Sequence, residues 1–245
     1  MDGFTASFGK AIFTAASTNT LSLLHIQDTP ESLDTIKPKR HIPIPIPKHP
    51  NPMHLYIAEK PSLGRAIAAA LPGTALGIGL EIPLACHRIF AADNPKAKIG
   101  LPEIMVGIFP GAGGTTRLAR KLGAMAASPF LLEGKMVAPA AAKSAGLIDE
   151  VVADPVAAAK EWVLNAKDAD ILKPWDAKGY KMPGGAPYHP AGFMPFVGAN
   201  AMVNGKTQGA FPAAKALLSA VYEGSLVPFD TALKIEARWF TNILL

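Results

Sequence analysis

The sequence has only one cysteine, Cys86, among its 245 residues. A single cysteine excludes an internal disulfide and a metal site built from several cysteines, and it is typical of proteins from a reducing compartment. We therefore expect a cytoplasmic protein. Charged residues are also scarce, at 18% of the chain. This fraction is below the usual quarter and indicates a surface that is lightly charged or partly covered by partners.

Membrane and export signals are also lacking. The first residues, MDGFTASFGKAIFTAAS, contain no continuous apolar core after an early positive charge, so we expect no secretory signal. The longest apolar run is AIAAALPGTALGIGLEIPLAC, and its prolines, its glycines and Glu81 make it a poor membrane span. We expect no membrane partner.

Hydrophobic residues make up 49% of the chain, which is enough for a core, and the formal net charge is +5. A mildly basic chain suits an anionic partner such as a nucleic acid or a phosphorylated cofactor, but it identifies neither. Residues 1–52 have no convincing period and end in KPKRHIPIPIPKHPNP, which is typical of an extended, polyproline-like segment. We predict a disordered or proline-rich arm there, with a basic arm that touches phosphates as the alternative.

Residues 53–73 have a different character. HLYIA predicts a strand, EKPS a turn, and LGRAIAAAL a helix that ends at Pro72-Gly73. This segment resembles the opening strand, turn and helix of the Toprim domain of type IA topoisomerases, in particular topoisomerase III. The resemblance implies that Glu59 matches an acidic metal ligand used in DNA cleavage.

The rest of a Toprim site has no clear counterpart. The one Asp-x-Asp pair, Asp168-Ala169-Asp170, follows LNAK, which does not resemble a buried strand. One glutamate cannot hold a hard dication that needs several oxygen ligands, so we expect no metal site. A nucleic-acid-binding remnant of a topoisomerase remains an alternative, which magnesium-dependent DNA binding lost in Glu59→Ala would support.

Residues 74–245 predict alternating helices and strands. EIPLACHRIFAA predicts a helix followed by a strand, and GAGGTTRLARKLG a loop that enters a helix. SPFLLEGKMVAPAAAKSAGLIDEVV predicts a helix, a turn, a second helix and a strand. After a segment rich in glycine and proline, the C-terminal residues have helical periodicity interrupted at Pro228.

Two carboxylates in this part differ in their surroundings. Glu81 follows the Gly77-x-Gly79 turn near a helix start, and Glu103 lies among apolar residues in IGLPEIMVG. An apolar environment raises the pKa of a carboxyl group, so the two glutamates could share proton transfer as base and acid. The alternative is that Glu81 only stabilises the helix dipole and Glu103 is an ordinary turn residue.

The ordered series of glycine-Glu, Pro-Glu and Pro-Gly-Ala-Gly-Gly in residues 74–245 resembles the crotonase superfamily. The specific resemblance is to the enoyl-CoA hydratase domain of multifunctional fatty-acid β-oxidation enzymes. It implies an α/β fold, a partial ββα spiral with a helical C-terminal region.

The resemblance also implies roles for individual residues. Glu81 and Glu103 match the two glutamates that activate water and protonate Cα, and the N–H of Ile78 matches an oxyanion-hole donor. The implied substrate is a coenzyme A thioester, with no further cofactor. The implied substrate-binding positions are Gly77, Gly79, Pro110, Gly111, Gly113 and Gly114.

Three features depart from the family pattern. Ile78 replaces a glycine and would not tolerate a positive φ or close approach of the thioester, and Pro83 removes an N–H just after Glu81. The family's N-terminal half, which supplies a second oxyanion donor and most of the coenzyme A cleft, has no counterpart. We therefore expect little or no hydratase activity from the chain by itself. A non-catalytic module that self-associates through its C-terminal helices is the second hypothesis.

Overall fold

The computed structural model describes residues 66–245 in full and, before them, the backbone of three strands. The nine strands are β1 (Ile12–Ala16), β2 (Thr20–Leu24), β3 (Tyr56–Lys60), β4 (Ala66–Leu71), β5 (Ala75–Leu76), β6 (Arg88–Ala92), β7 (Ile99–Gly100), β8 (Met136–Val137) and β9 (Glu150–Val152). The helices are α1 (Ile78–Ala85), α2 (Gly114–Leu122), α3 (Ala124–Leu131), α4 (Pro139–Ser144), α5 (Pro155–Asn165), α6 (Pro190–Thr207), α7 (Pro212–Ser225) and α8 (Phe229–Leu244). Short 3-10 helices occupy Pro102–Val106, Asp168–Ile171 and Pro174–Asp176.

A six-stranded mixed sheet has the order β2-β1-β3-β4-β6-β9. Its first four strands pair antiparallel, and β4, β6 and β9 run parallel. The crossover from β4 to β6 passes through α1, so the glycine turn that begins α1 follows the carboxyl end of a central strand. A smaller sheet has the order β5-β7-β8, and β5 ends at Leu76, directly before this turn.

Strand β4 corrects the helix predicted over Leu63–Leu71, because Ala66–Leu71 pairs with β3 and β6 instead. Alanine is the strongest helix former, which explains the prediction. Both faces of β4 are buried, however: Ala69 packs in the main core and Ala68 contacts the separate cluster beneath α5. A strand covered on both faces is a continuous apolar run, and packing overrides intrinsic propensity.

The prediction of an arm without regular structure over residues 1–52 is also corrected in part. Strands β1 and β2 form an antiparallel hairpin, and β1 adds to the main sheet by pairing Phe13 with Ile57. Strand β1 contains Ile, Phe and Thr, and β2 contains Thr and Leu. Such residues suit a pleated sheet, of which β2 is the edge strand. The proline-rich segment of residues 37–52 lies outside the described residues, as do Pro61 and Ser62 of the predicted turn EKPS. The first two residues of that turn, Glu59 and Lys60, belong to β3 instead.

The helices and strands predicted within residues 74–245 are found, except that Met136 and Val137 of the predicted turn GKMV form β8, and the structure adds α5 and α6, which were not predicted. The α/β class with a helical C-terminal region is confirmed. Pro228 is the residue directly before α8, so the interrupted periodicity marks the boundary between α7 and α8. The two helices pack on each other, and α8 also contacts α2. None of the helices within the described residues combines the length and the apolar character that a membrane crossing requires.

Candidate active site

Gly77, in the glycine turn before α1, has a left-handed backbone with a φ of +57°. Its N–H donates to the carbonyl oxygen of Gly100 at 3.1 Å, and its own carbonyl accepts from Leu80 and Glu81 at 2.8 and 3.0 Å. The turn is therefore fixed between β7 and the first turn of α1. Glycine is required at position 77 because an L side chain rarely adopts this backbone conformation.

Ile78 is the first residue of α1, and its side chain is 54% exposed. The only non-glycine residue with a positive φ in the described part of the chain is Gln208, so the expected conflict between Ile78 and a left-handed backbone does not arise. The N–H groups of a helix's first turn have no partner within the helix. Among the described residues, nothing accepts a hydrogen bond from the N–H of Ile78. Gly79 follows it as a buried residue of the same turn.

Glu81 is buried, at 4% exposure, and points at the N-terminus of α2. Its Oε2 atom accepts hydrogen bonds from the N–H groups of Ala112 at 2.8 Å and Gly114 at 2.7 Å. Burial raises the pKa of Glu81 above its ordinary value, while these two bonds and the charge of Arg117 oppose the rise. Glu81 is thus a desolvated carboxylate held in place by backbone donors.

Glu103 lies in the 3-10 helix Pro102–Val106, beside the buried residues Leu101 and Ile104. Desolvation raises its pKa to about 7, and repulsion by Glu81 adds to the rise. Its Oε2 atom is buried and has no hydrogen-bond partner among the described residues. A carboxyl group with a pKa near neutrality can both give and take a proton, and an unpartnered buried oxygen is a candidate contact for a substrate or water.

Glu103 packs against the glycine turn that begins the helix of Glu81, and the two carboxylates repel each other. A Cβ added to Gly77 would lie 3.0 Å from Oε1 of Glu103, so that carboxylate packs directly against the start of the helix that carries Glu81. The structure therefore brings together four of the predicted site residues: Gly77, Ile78, Glu81 and Glu103. Their assignment as catalytic or oxyanion residues stays a prediction.

The predicted substrate-side loop, Pro110 to Thr115, contacts other parts of the protein. A Cβ on Gly111 would lie 2.5 Å from the ring of Phe240 in α8, and the carbonyl of Pro110 accepts from the hydroxyl of Thr115 at 2.8 Å. Gly113 has a φ of +92° and precedes α2. Gly111 allows the close approach of α8, and Gly114 allows that of Glu81. The predicted contact of these residues with substrate remains open.

A further glutamate, Glu236 in α8, is buried and was not predicted from the sequence. It is 1% exposed, and its two carboxylate oxygens accept from the N–H groups of Gly113 at 2.6 Å and Thr116 at 2.7 Å. Burial raises its pKa to about 7 against the effect of these bonds. Its only signal in the sequence is one acidic residue within the apolar face of a helix, and its partners lie more than a hundred positions away.

The opposite end of α1 is closed by Lys173, which donates to the carbonyl oxygens of Leu84, at 3.4 Å, and Cys86. Pro83 is the sixth residue of α1 and is fully buried, so it lies in the second turn rather than the first. Helix α1 ends at Ala85, and Pro83 within it has no N–H to donate to the carbonyl oxygen of Gly79.

The residues considered for a metal site lie on different elements. Glu59 is in β3, in register with Ile67, and its side chain lies outside the described residues. Asp168 and Asp170 are exposed in a 3-10 helix, where Asp170 accepts from the N–H of Lys167 at 2.8 Å. Within the described part of the chain, no three His, Cys, Asp or Glu side chains are grouped to hold a metal ion.

Residues 53–169 match the family described as enoyl-CoA hydratase/isomerase. The chain carries an enoyl-CoA hydratase domain of the crotonase superfamily. The match begins at residue 53 and so covers the 21 residues that resemble a Toprim domain start. A domain boundary at residue 73 stays a prediction.

The curated relatives are subunits of fatty acid oxidation complexes. The alpha subunit from Shewanella amazonensis is 35% identical over 76% of this chain and 26% of the relative. The alpha subunit from Shewanella halifaxensis is 33% identical over 78% and 27%. The chain thus spans about a quarter of the length of these relatives. A crystal structure of enoyl-CoA hydratase from Bacillus anthracis is 26% identical over 70% of this chain and 51% of that chain, with a TM-score of 0.34.

Proposed function

We propose that this hydratase domain adds water to a 2-enoyl-CoA thioester, as a lyase of fatty-acid β-oxidation. The observation that carries the proposal is the packing of the Glu103 carboxylate against Gly77, the left-handed residue that begins the helix bearing Glu81. That contact joins two desolvated glutamates and one helix N-terminus in a single site. The relatives named as fatty acid oxidation complex subunits support the class of reaction.

These groups can catalyse the addition of water across the double bond of the thioester. The two glutamates hold a water molecule, whose hydroxyl bonds to the β-carbon while a proton is delivered to the α-carbon. Glu103 is suited to the proton delivery because its pKa is about 7, so it is partly protonated at neutral pH. Glu81 is suited to orienting water because the N–H groups of Ala112 and Gly114 fix its position.

The negative charge that develops on the thioester oxygen needs a donor. The N–H of Ile78 is at the N-terminus of α1, where the helix dipole favours negative charge, and its side chain is exposed away from the core. It is the one oxyanion donor that the family resemblance matches in this sequence. Removal of a single donor typically lowers the rate about 10²–10³-fold, so we expect slow turnover by this chain alone.

Hydration of crotonyl-CoA, followed by loss of its absorbance, tests the proposal. The wild-type chain should exceed the rate in buffer, and Glu103→Gln should lower that excess about 10²-fold or more because the acid is lost. Glu133→Gln, at an exposed residue outside the set of predicted site residues, is the matched control and should keep the wild-type rate. Equal rates for wild type and Glu103→Gln would contradict the proposal.

Self-association with a second copy of this chain is a separate proposal. Its support is the exposed apolar side chains of α6: Phe193 is 50% exposed, Met194 65% and Val197 45%. Residues 193 and 197 are one helical turn apart, so they share a face. Sedimentation velocity should show a dimer or larger species that Phe193→Ser with Val197→Ser dissociates. A monomer at all concentrations would contradict it.

We also propose that the reaction needs no cofactor beyond the coenzyme A thioester, and that the protein works in a reducing compartment such as the cytoplasm. The supports are a site made of carboxylates and backbone donors, and one cysteine that is buried. Dialysis against a chelator should leave the hydration rate unchanged. A rate restored only by added metal would contradict the first of these two proposals.

A further inference from the structure

We propose that Glu236 is a positioning residue for the hydratase site: from α8 it anchors the loop that holds Glu81. The inference rests on the proposed function only in so far as Glu81 takes part in hydration. Glu236 itself contacts the loop and α2, so it acts through them.

The first step of the argument is the order of donors at the start of α2. The N–H groups of Ala112 and Gly114 donate to Glu81, and those of Gly113 and Thr116 donate to Glu236. Donors to the two carboxylates therefore alternate along one short segment. A shift of this segment that breaks the bonds to one glutamate must also move the donors of the other.

The second step is that α2 has no capping side chain of its own. The residue before it is Gly113, which cannot cap, and the first turn of a helix has backbone donors without intrahelical partners. Two remote carboxylates take that role instead, and the positive end of the α2 dipole favours both. Glu236, from α8, thus accepts hydrogen bonds at the start of α2, where Glu81, from α1, accepts others.

The third step is that Glu236 has little freedom to move. It is buried at 1% exposure, and Phe240, one turn further along α8, packs on Gly111 at the other end of the loop. Arg117 of α2 and Glu81 are the charged groups that interact with it, and burial raises its pKa to about 7. Removing a carboxylate from water to this extent costs free energy. A group that is retained at such a cost is typical of one that fixes a specific geometry.

Glu236→Gln tests the inference, because an amide offers one acceptor where the carboxylate offers two. We expect amide exchange over residues 111–117 to become about tenfold faster, including at Ala112 and Gly114, which donate to Glu81. We expect kcat for crotonyl-CoA hydration to fall about 10²-fold with KM changed far less, because misplacement of a catalytic group affects the chemical step. Glu236→Asp keeps two acceptors and should recover part of both effects.

The matched control is Glu223→Gln. Glu223 in α7 accepts from Trp239 at 2.9 Å and from Arg238, so its loss loosens the docking of α8 without touching the loop. We expect it to lower the melting temperature and to leave exchange at Ala112 and Gly114 unchanged. If Glu223→Gln and Glu236→Gln have the same effects at equal stability, Glu236 is only structural and the inference is overturned.

The exchange measurement separates this inference from the proposed function. A wild-type chain without hydration activity would contradict the proposed function, and the anchoring of Ala112 and Gly114 by Glu236 would still be supported by faster exchange in Glu236→Gln. Unchanged exchange at those two amides would overturn the inference whether or not the chain hydrates crotonyl-CoA.

Discussion

The carboxylate of Glu81 occupies the space that a side chain at Gly114 would need: a Cβ there would lie 2.7 Å from its Oε2 atom. Gly114 is the first residue of α2, where alanine would otherwise be a better helix former. The glycine is therefore required by the approach of Glu81 and not by the backbone conformation.

Gly114→Ala should lower the free energy of unfolding by about 1–3 kcal/mol, because it overpacks a buried contact and displaces Glu81 from its two N–H donors. Urea denaturation measures the change. Gly198→Ala is the matched control: nothing lies within 4 Å of its added Cβ in α6, and we expect a gain of about 0.5–1 kcal/mol. A similar gain for Gly114→Ala would show that Glu81 yields at little cost.

Glu103→Gln should stabilise the protein in a manner that depends on pH. The folded-state pKa of about 7 exceeds the ordinary 4.5. Between these values the folded protein keeps a proton that the unfolded chain has released, so the unfolding free energy falls as pH rises through this window. The penalty is complete above pH 7, and glutamine carries no charge.

We therefore expect Glu103→Gln to be more stable than wild type at pH 8, with an advantage that declines towards pH 4.5. Thermal unfolding at several pH values in this range checks the prediction. Exposed Glu133→Gln serves again as the control and should show no such trend. A difference between Glu103→Gln and wild type that is constant with pH would contradict the raised pKa.

Lys173→Met should destabilise the end of α1. Its ammonium donates to the carbonyl groups of Leu84 and Cys86, which would be left without these bonds. A buried acceptor that loses its donor costs about 1–3 kcal/mol, and we expect a loss of unfolding free energy in this range. Lys178→Met, at an exposed position nearby, should have little effect. Equal stability of the two variants would show that water replaces the ammonium group.

The thiol of Cys86 should be unreactive in the folded protein. It is 4% exposed, and burial raises its pKa to about 12, so the reactive thiolate is scarce near neutral pH. An aromatic disulfide reagent at pH 8 should label the native chain only as fast as the chain opens, and should label one thiol per chain in denaturant. Rapid labelling without denaturant would place Cys86 at the surface.

Local signals in the sequence predicted much of the fold. The helices and strands that were predicted after residue 74 occur in the predicted order, because local periodicity and residues such as Pro228 before α8 mark them, but α5 and α6 were not predicted. Strand β4 was predicted as a helix, since alanine propensity is local while burial of both strand faces depends on α5, which lies far along the chain.

The same distinction between local signals and contacts distant in sequence applies to the site. Glu81 and Glu103 were found because glycine, proline and apolar neighbours mark them in the sequence, and the family resemblance ordered these motifs. Glu236 could not be found in this way, because its importance comes from two N–H donors that it meets only in the folded chain. A buried charge has no local signature when its partners are backbone groups.

The separation of 123 positions between Gly113 and Glu236 also affects synthesis. Protein chains emerge from the ribosome in order, and contacts distant in sequence close late. The glycine turn, Glu81 and the start of α2 are all made long before α8 exists. Until α8 docks, the nascent chain contains every residue of the loop, but the N–H groups of Gly113 and Thr116 lack their acceptor, the carboxylate of Glu236. A chaperone that delays release until residue 236 has emerged would therefore protect this region during its most exposed interval.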